Sequence, residues 1–189
     1  MGVALTFDDG PHPQGTPAAL EVLAGLHARA TFFLCGEQVE RYPSLAVEIV
    51  AAGHTAAVHG HRHRNMLRLP PATFVEDLER GIAAIEDATG VRPALYRPPY
   101  GIFSYPGMVE VRARGLRSLL WSRWGHDWRA GRSGAEIAAE TTRDLDAGEV
   151  LLLHDADHYS EPGCWQGTIE ALPMIAERIR SAGLKAALP

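Results

Sequence analysis

Val3-Ala4-Leu5-Thr6-Phe7-Asp8-Asp9-Gly10-Pro11 decides how the chain is read. An apolar run leads straight into two adjacent carboxylates, and a Gly-Pro pair stops the strand. Like charges a few ångströms apart raise each other's pKa unless a cation lies between them. A bound metal removes that conflict by taking one acid as a ligand and leaving the other free to handle protons. Taken alone, the same residues also suit a solvated Asp-Asp-Gly turn. What separates the two readings is the set of partners delivered further along.

Outward from this stretch, apolar strands alternate with helices. Thr16 to Ala28 reads as a helix with Thr16 as N-cap and Pro17 at its first position. Thr31-Phe-Phe-Leu34 is a strand closed by Gly36, Ser44 to Ala52 a helix ended by Gly53, and Thr55 to Val58 a strand running into His59. Pro71 to Ala88 carries Phe74, Val75, Leu78, Ile82 and Ile85 on one face and stops at Gly90. The second half continues with a strand at Ala94–Tyr96, a helix from Pro106 to Arg114, and a strand at Ser118–Trp121. Ser133 and Glu136 are spaced as a capping box for a helix reaching Asp146. Val150 to Leu153 is a continuous apolar strand ending in His154, Thr168 to Ser181 the last helix, and Leu184 to Leu188 a final strand.

These are about seven strand–helix units whose strands lack strict alternation, as parallel strands buried under helices do. The fold class expected is α/β, a closed or nearly closed distorted (β/α)7-8 barrel rather than an open doubly wound sheet. The 189 residues suit one domain, 1–189, and no linker or low-complexity segment marks a second. A formal net charge of -5 gives no electrostatic reason to expect nucleic acid or an anionic membrane as partner. Cys35 and Cys164 form no metal-ligand spacing and read as two separate thiols. With no apolar span and no signal-peptide pattern, the chain as given is expected in the cytoplasm, or outside it if a leader has been trimmed.

Ionisable groups recur at one place in the unit, just after the strand: Asp8-Asp9, His59 and His63, Arg97, Asp127-Trp128 and His154. In parallel βα barrels that face holds the active site. His59 and His63 stand four residues apart, and imidazole with carboxylate suits zinc and other divalent transition metals, although such a pair also occurs as a plain surface feature. His61, between them, is read as pointing elsewhere. Arg97, fixed by the two prolines that follow, can pair with a carboxylate at the barrel mouth or be an ordinary turn arginine. His154 at the rim of an apolar strand can be structural or can pair with Asp127 and stay protonated. Arg62, Arg64, Arg68, Arg123, Arg129 and Arg132 fall in the loops of the same face. They are either solvated loop charges or contacts for an acidic substrate.

Together these motifs resemble the polysaccharide deacetylases of the NodB-homology type, carbohydrate esterase family four, across most of the chain. The resemblance implies a distorted barrel of that type. Asp8 would be the base, Asp9, His59 and His63 the ligands of one divalent metal, zinc in the first place, and Arg97 the group that orients the base. Arg97-Pro-Pro-Tyr-Gly101 would also offer the Tyr100 N–H to an oxyanion. His154 would be the acid, Asp127 its carboxylate partner, and Trp128 and Leu152 walls of the pocket. Gly60 replaces the Ser or Thr usual after the first His, and Trp124 stands where the family often has an earlier Asp. The implied reaction is metal-assisted hydrolysis of an N-acetyl, or O-acetyl, group on a sugar or polysaccharide. A small N-acyl or cyclic amide metabolite is the alternative substrate.

Overall fold

The computed structural model describes residues 2–189. Its strands and helices, in chain order, are β1 (Gly2–Asp8), α1 (Gly15–Gly25), β2 (Ala30–Leu34), α2 (Gly36–Arg41), α3 (Pro43–Ala51), β3 (Thr55–Val58), α4 (Pro71–Thr89), β4 (Leu95–Tyr96), α5 (Tyr105–Ala113), β5 (Arg117–Ser118), β6 (Arg123–Trp124), α6 (Gly134–Thr141), β7 (Val150–His154), α7 (Cys164–Ser181) and β8 (Lys185–Ala186). Every strand pairing is parallel, in the order β5-β4-β3-β2-β1-β7-β6, with β8 against the start of β1. Consecutive strands β5 and β6 thus lie at opposite ends of one curled sheet. The result is the distorted parallel barrel expected, left open at a single seam. The core is built from the inner strands and the apolar faces of α4 and α7, with Phe7 stacked on Phe32 at 4.8 Å between ring centres. No helix of the described residues is long and apolar enough to cross a membrane.

Register carries the site. Asp8 of β1 is the ladder partner of Phe33 on β2 and of His154 on β7, and Val58 on β3 pairs with Tyr96 on β4. The residues just past those strand ends are Asp9, His59 and Arg97. Parallel pairing therefore brings them to one rim whatever the helices do.

Several element boundaries differ from the sequence reading, for identifiable reasons. Thr16 is not the cap of α1. Its hydroxyl accepts the His12 N–H at 2.7 Å and donates to Asp155, a tertiary use that places Thr16 and Pro17 inside the first turn. Gly36 does not end the β2 unit but starts α2. An added Cβ there would lie 3.0 Å from the Gly81 Cα, so the pair of glycines lets α2 and α4 approach. The stretch Ser118–Trp121 is only briefly strand, because the Leu119 and Leu120 carbonyls turn to accept from Arg97, and a separate β6 follows. Helix α6 has its capping box but stops at Thr141, five residues early, where Thr142 bonds back to the Ala138 carbonyl and Asp144 takes φ +48°. Helix α7 begins at Cys164, earlier than expected, and the final strand shrinks to β8.

Candidate active site and metal centre

Each of the clustered side chains is placed by a strand end and held by its own partner. Asp9 follows β1 with φ +77°, a left-handed conformation rare for a side-chain-bearing residue and one that costs about 1–3 kcal/mol unless the surroundings impose it. This turn puts its carboxylate beside two imidazoles: Asp9 Oδ1 is 3.5 Å from His59 Nε2 and 3.4 Å from His63 Nε2. The three groups offer ligand atoms all within 4.8 Å of one another. His59 and His63 do not share a helical turn as a four-residue spacing would allow. They meet through a loop bent at Gly60, φ +81°, where a Cβ would come within 2.9 Å of Asp77 Oδ2. The glycine that replaces Ser or Thr is therefore required by the local backbone. His61 points away and contacts Glu40 Oε1 at 3.1 Å, as read from the sequence.

The electrostatics suit a cation. Burial pushes the Asp9 carboxyl up to about 7, with the Asp8, Asp155 and Asp127 charges adding to the effect and His154 opposing it. Burial, then the neighbouring His59, pushes the His63 imidazole down to about 3, and burial lowers His59 as well. These imidazoles are neutral donors of electron pairs, and Asp9 Oδ1 is buried with no hydrogen-bond partner among the described residues. A buried, unbonded carboxylate oxygen facing two neutral ring nitrogens fits a divalent metal of the kind bound by N and O ligands. His59 Nδ1 lies 2.8 Å from the Arg97 carbonyl, which fixes that ring with Nε2 inward.

Two further groups flank the cluster. Asp8 Oδ1 accepts from Arg97 at 2.6 Å, while its Oδ2 faces His59 Nε2 at 3.7 Å. Arg97 is fully buried, and its guanidinium also donates to Thr6 Oγ1 at 2.8 Å, to the Leu119 carbonyl at 2.9 Å and to that of Leu120, while lying 4.0 Å from the centre of the Phe33 ring. On the other side, His154 Nδ1 is 3.0 Å from Asp127 Oδ1, and Asp127 Oδ2 accepts from the His154 N–H at 2.7 Å and from Thr168 Oγ1 at 2.8 Å. Burial alone would drive the proton off His154. The Asp127 charge and hydrogen bond outweigh it, with Asp9 and Asp8 adding, and push the ring up to about 10.

A cavity of about 310 Å³ opens onto Asp8, Asp9, His59, His63 and His154, and Tyr100, Trp128 and Leu152 are among its walls. The ten residues of the family resemblance thus gather at one rim: eight line this cavity, among them Tyr100 with φ +62°, and Arg97 and Asp127 stand directly behind it. Tyr159 and Trp121 line it too and were not foreseen. The Tyr159 ring stacks on His63 at 4.6 Å and 12°, and its hydroxyl donates to Glu37 at 2.6 Å and accepts from Gln38 at 3.0 Å. An aromatic residue five places past His154 in an irregular loop has no periodicity to betray it. Asp155, the residue after His154, is fully buried under Thr16, and burial pushes it up to about 7. His158 contacts the Pro11 carbonyl at 3.1 Å, so this loop ties the ends of β7 and β1 together.

A parallel βα sheet that collects its ionisable groups beyond the strand ends, with a buried carboxylate–arginine pair and a buried imidazole–carboxylate pair beside a metal-type cluster, is the frame of a βα-barrel enzyme. The chain belongs to the polysaccharide deacetylase family, whose model matches residues 2–118. It is 30% identical over 190 residues to a chitooligosaccharide deacetylase of Azorhizobium caulinodans, covering 96% of this chain and 89% of that one. It is 29% identical over 183 residues to a peptidoglycan-N-acetylglucosamine deacetylase of Bacillus cereus, covering 97% of this chain but only 65% of the relative. Among solved structures, a family 4 carbohydrate esterase from Streptomyces lividans in complex with acetate superposes with a TM-score of 0.88 at 33% identity, over 99% of this chain and 92% of that one.

Proposed function

We propose that this protein is a metal-dependent hydrolase that removes acetyl groups from the N-acetylated sugars of a glycan. The relatives support the carbohydrate and the acetyl group. One observation carries the mechanism: a carboxylate oriented by Arg97 and an imidazolium held by Asp127 border the same buried Asp9, His59 and His63 cluster. Those three residues would hold the metal, which when bound supplies Lewis-acid stabilisation of a developing oxyanion and lowers the pKa of a water.

The remaining work belongs to side chains. Asp8 uses Oδ1 to accept from Arg97, which leaves Oδ2 free to take the proton of the attacking water. The water oxygen bonds to the acetyl carbon, and the C–N bond breaks. His154, whose Nδ1 is tied to Asp127, donates its Nε2 proton to the departing amine. We assign the Tyr100 N–H to the oxyanion on the family resemblance. Trp128 and Leu152 give the acetyl methyl an apolar wall. The small acyl-amide considered as an alternative substrate finds no counterpart among the relatives named above.

The test is acetate release from chitotetraose, with metal content measured on the same preparations. The wild type should release acetate and hold about one zinc per chain, and Asp8→Asn should keep the zinc while losing turnover by about 10²–10⁴-fold. An Asp8→Asn protein working at near-normal rate would remove Asp8 from its role.

A further inference from the structure

Beside the site just described lies a second cavity, of about 470 Å³, and the two share a wall: Tyr100, whose side is open to solvent, lines both. The second cavity is otherwise lined by Arg64, Asn65, Arg68, Leu69 and Ile102. The structure divides the six arginines sharply, and it places Arg123 in β6 rather than in a loop. Arg123 is spent on Glu149 and Arg132 on Glu140, while Arg62 leans on Glu37 at 3.9 Å. Arg129 stands exposed on the loop after β6, outside this cleft. Arg64, half-buried, and Arg68, exposed, have no carboxylate within ion-pair distance among the described residues. Arg64 also borders a smaller cleft with Glu76 and Asp77, and its charge acts on Asp77, whose oxygens accept the His61 and Arg62 N–H groups.

The loop that presents these two cations is pinned. Met66 is buried, and its sulfur accepts the Ser104 N–H at 3.1 Å, while Asn65 Oδ1 caps the short turn Met66–Arg68 through the Leu67 N–H at 3.0 Å. That turn brings Arg64 and Arg68, four residues apart, to the same cleft. Two guanidinium groups with no carboxylate at ion-pair distance among the described residues, on an anchored loop that starts one residue past His63 and lies across an aromatic ring from the scissile position, match a planar anion carried by the neighbouring sugar. We propose that this cleft is a subsite for a carboxylate on the sugar adjacent to the one deacetylated, so that the protein selects acidic over neutral N-acetylated glycans. The inference rests on the deacetylase reading above.

Three tetrasaccharides test it: chitotetraose, an oligomer of the same length whose alternate sugars bear a 3-O-lactyl carboxylate, and the methyl ester of that oligomer. At low salt, kcat/KM for the acid should exceed that for its ester by about tenfold, the worth of one charge-assisted contact. The gap should shrink as sodium chloride is added. Arg64→Gln/Arg68→Gln should abolish it while leaving kcat/KM on chitotetraose within about twofold and the zinc content unchanged. Equal rates on acid and ester in the wild type, or an undiminished preference in the double variant, would overturn the subsite and leave the deacetylase reading intact. If no oligomer releases acetate, that reading falls, and calorimetric binding of acid against ester to the zinc-loaded wild type decides the subsite separately. Tighter binding of the acid, lost in the double variant, supports it, and equal binding overturns it.

Discussion

Replacing Asp127 with Asn keeps the volume and removes the charge that holds a proton on His154. The ring stands at about 10 in the protein against an ordinary 6.5. At 1.36 kcal/mol per pH unit the difference favours the imidazolium by on the order of 5 kcal/mol. Burial, the largest single influence on His154, works against the charge, so without Asp127 the ring should fall to 6.5 or below. The sign follows directly. In the wild type the acid is loaded at every pH below about 10, whereas in Asp127→Asn it empties as pH rises through the neutral range. If the ring falls to 6.5, the protonated fraction at pH 8 is roughly one part in thirty, and activity falls with it, while at pH 6 about three quarters remain loaded; any lower value moves the loss further toward acid. The same linkage makes the pair a source of stability that is whole below 6.5 and lost as pH rises through about 10, so the variant should also unfold at lower temperature near neutrality. The assay is a pH profile of kcat for acetate release from pH 5.5 to 10, run well below the variant's unfolding temperature. A variant whose alkaline limb stays where the wild type's lies, or one that loses the same factor at every pH, would refute the assignment of His154 as an acid tuned by Asp127.

Asp9→Ala and His63→Ala should each bring zinc from about one per chain to near zero by elemental analysis, with unchanged far-ultraviolet dichroism; full retention of metal would place the ion elsewhere. Arg97→Met strands a buried Asp8 and the carbonyls of Leu119 and Leu120, so it should cost about 3–5 kcal/mol and lower Tm by roughly 10 °C. An unshifted melting curve would count against the buried contacts of Arg97 described above. Tyr159→Ala removes the ring stacked on His63 and should weaken zinc binding about tenfold by chelator competition and alter the visible spectrum of the cobalt-substituted protein, whereas Tyr159→Phe should retain most of both. Equal zinc affinity in the alanine variant would leave Tyr159 a wall and nothing more.

The strand ends were legible because they are written locally. Leu5 to Asp8, Val58-His59 and Leu153-His154 each join an apolar run to an ionisable group, and parallel register does the rest. Where the reading went astray, a partner distant in sequence had captured the local signal. Thr16 looked like a cap until Asp155, from the other end of the chain, took its hydroxyl, and the strand beyond Ser118 was cut short by a guanidinium that follows β4. Gly36 has the composition of a stop but serves a close approach to Gly81, which no single segment reveals. Tyr159 was invisible for the same reason: its role lies in a ring that stands nearly a hundred residues earlier.

Asp8 and His154 are rungs of one ladder. The spacing of the base and acid we propose is therefore dictated by backbone hydrogen bonding, not by side-chain reach, and drift in sequence cannot widen it without unzipping the middle of the sheet. Diversification has to happen in what hangs over the rim. A scaffold of this kind can trade one glycan for another by exchanging its overhanging loops while the chemistry beneath stays fixed.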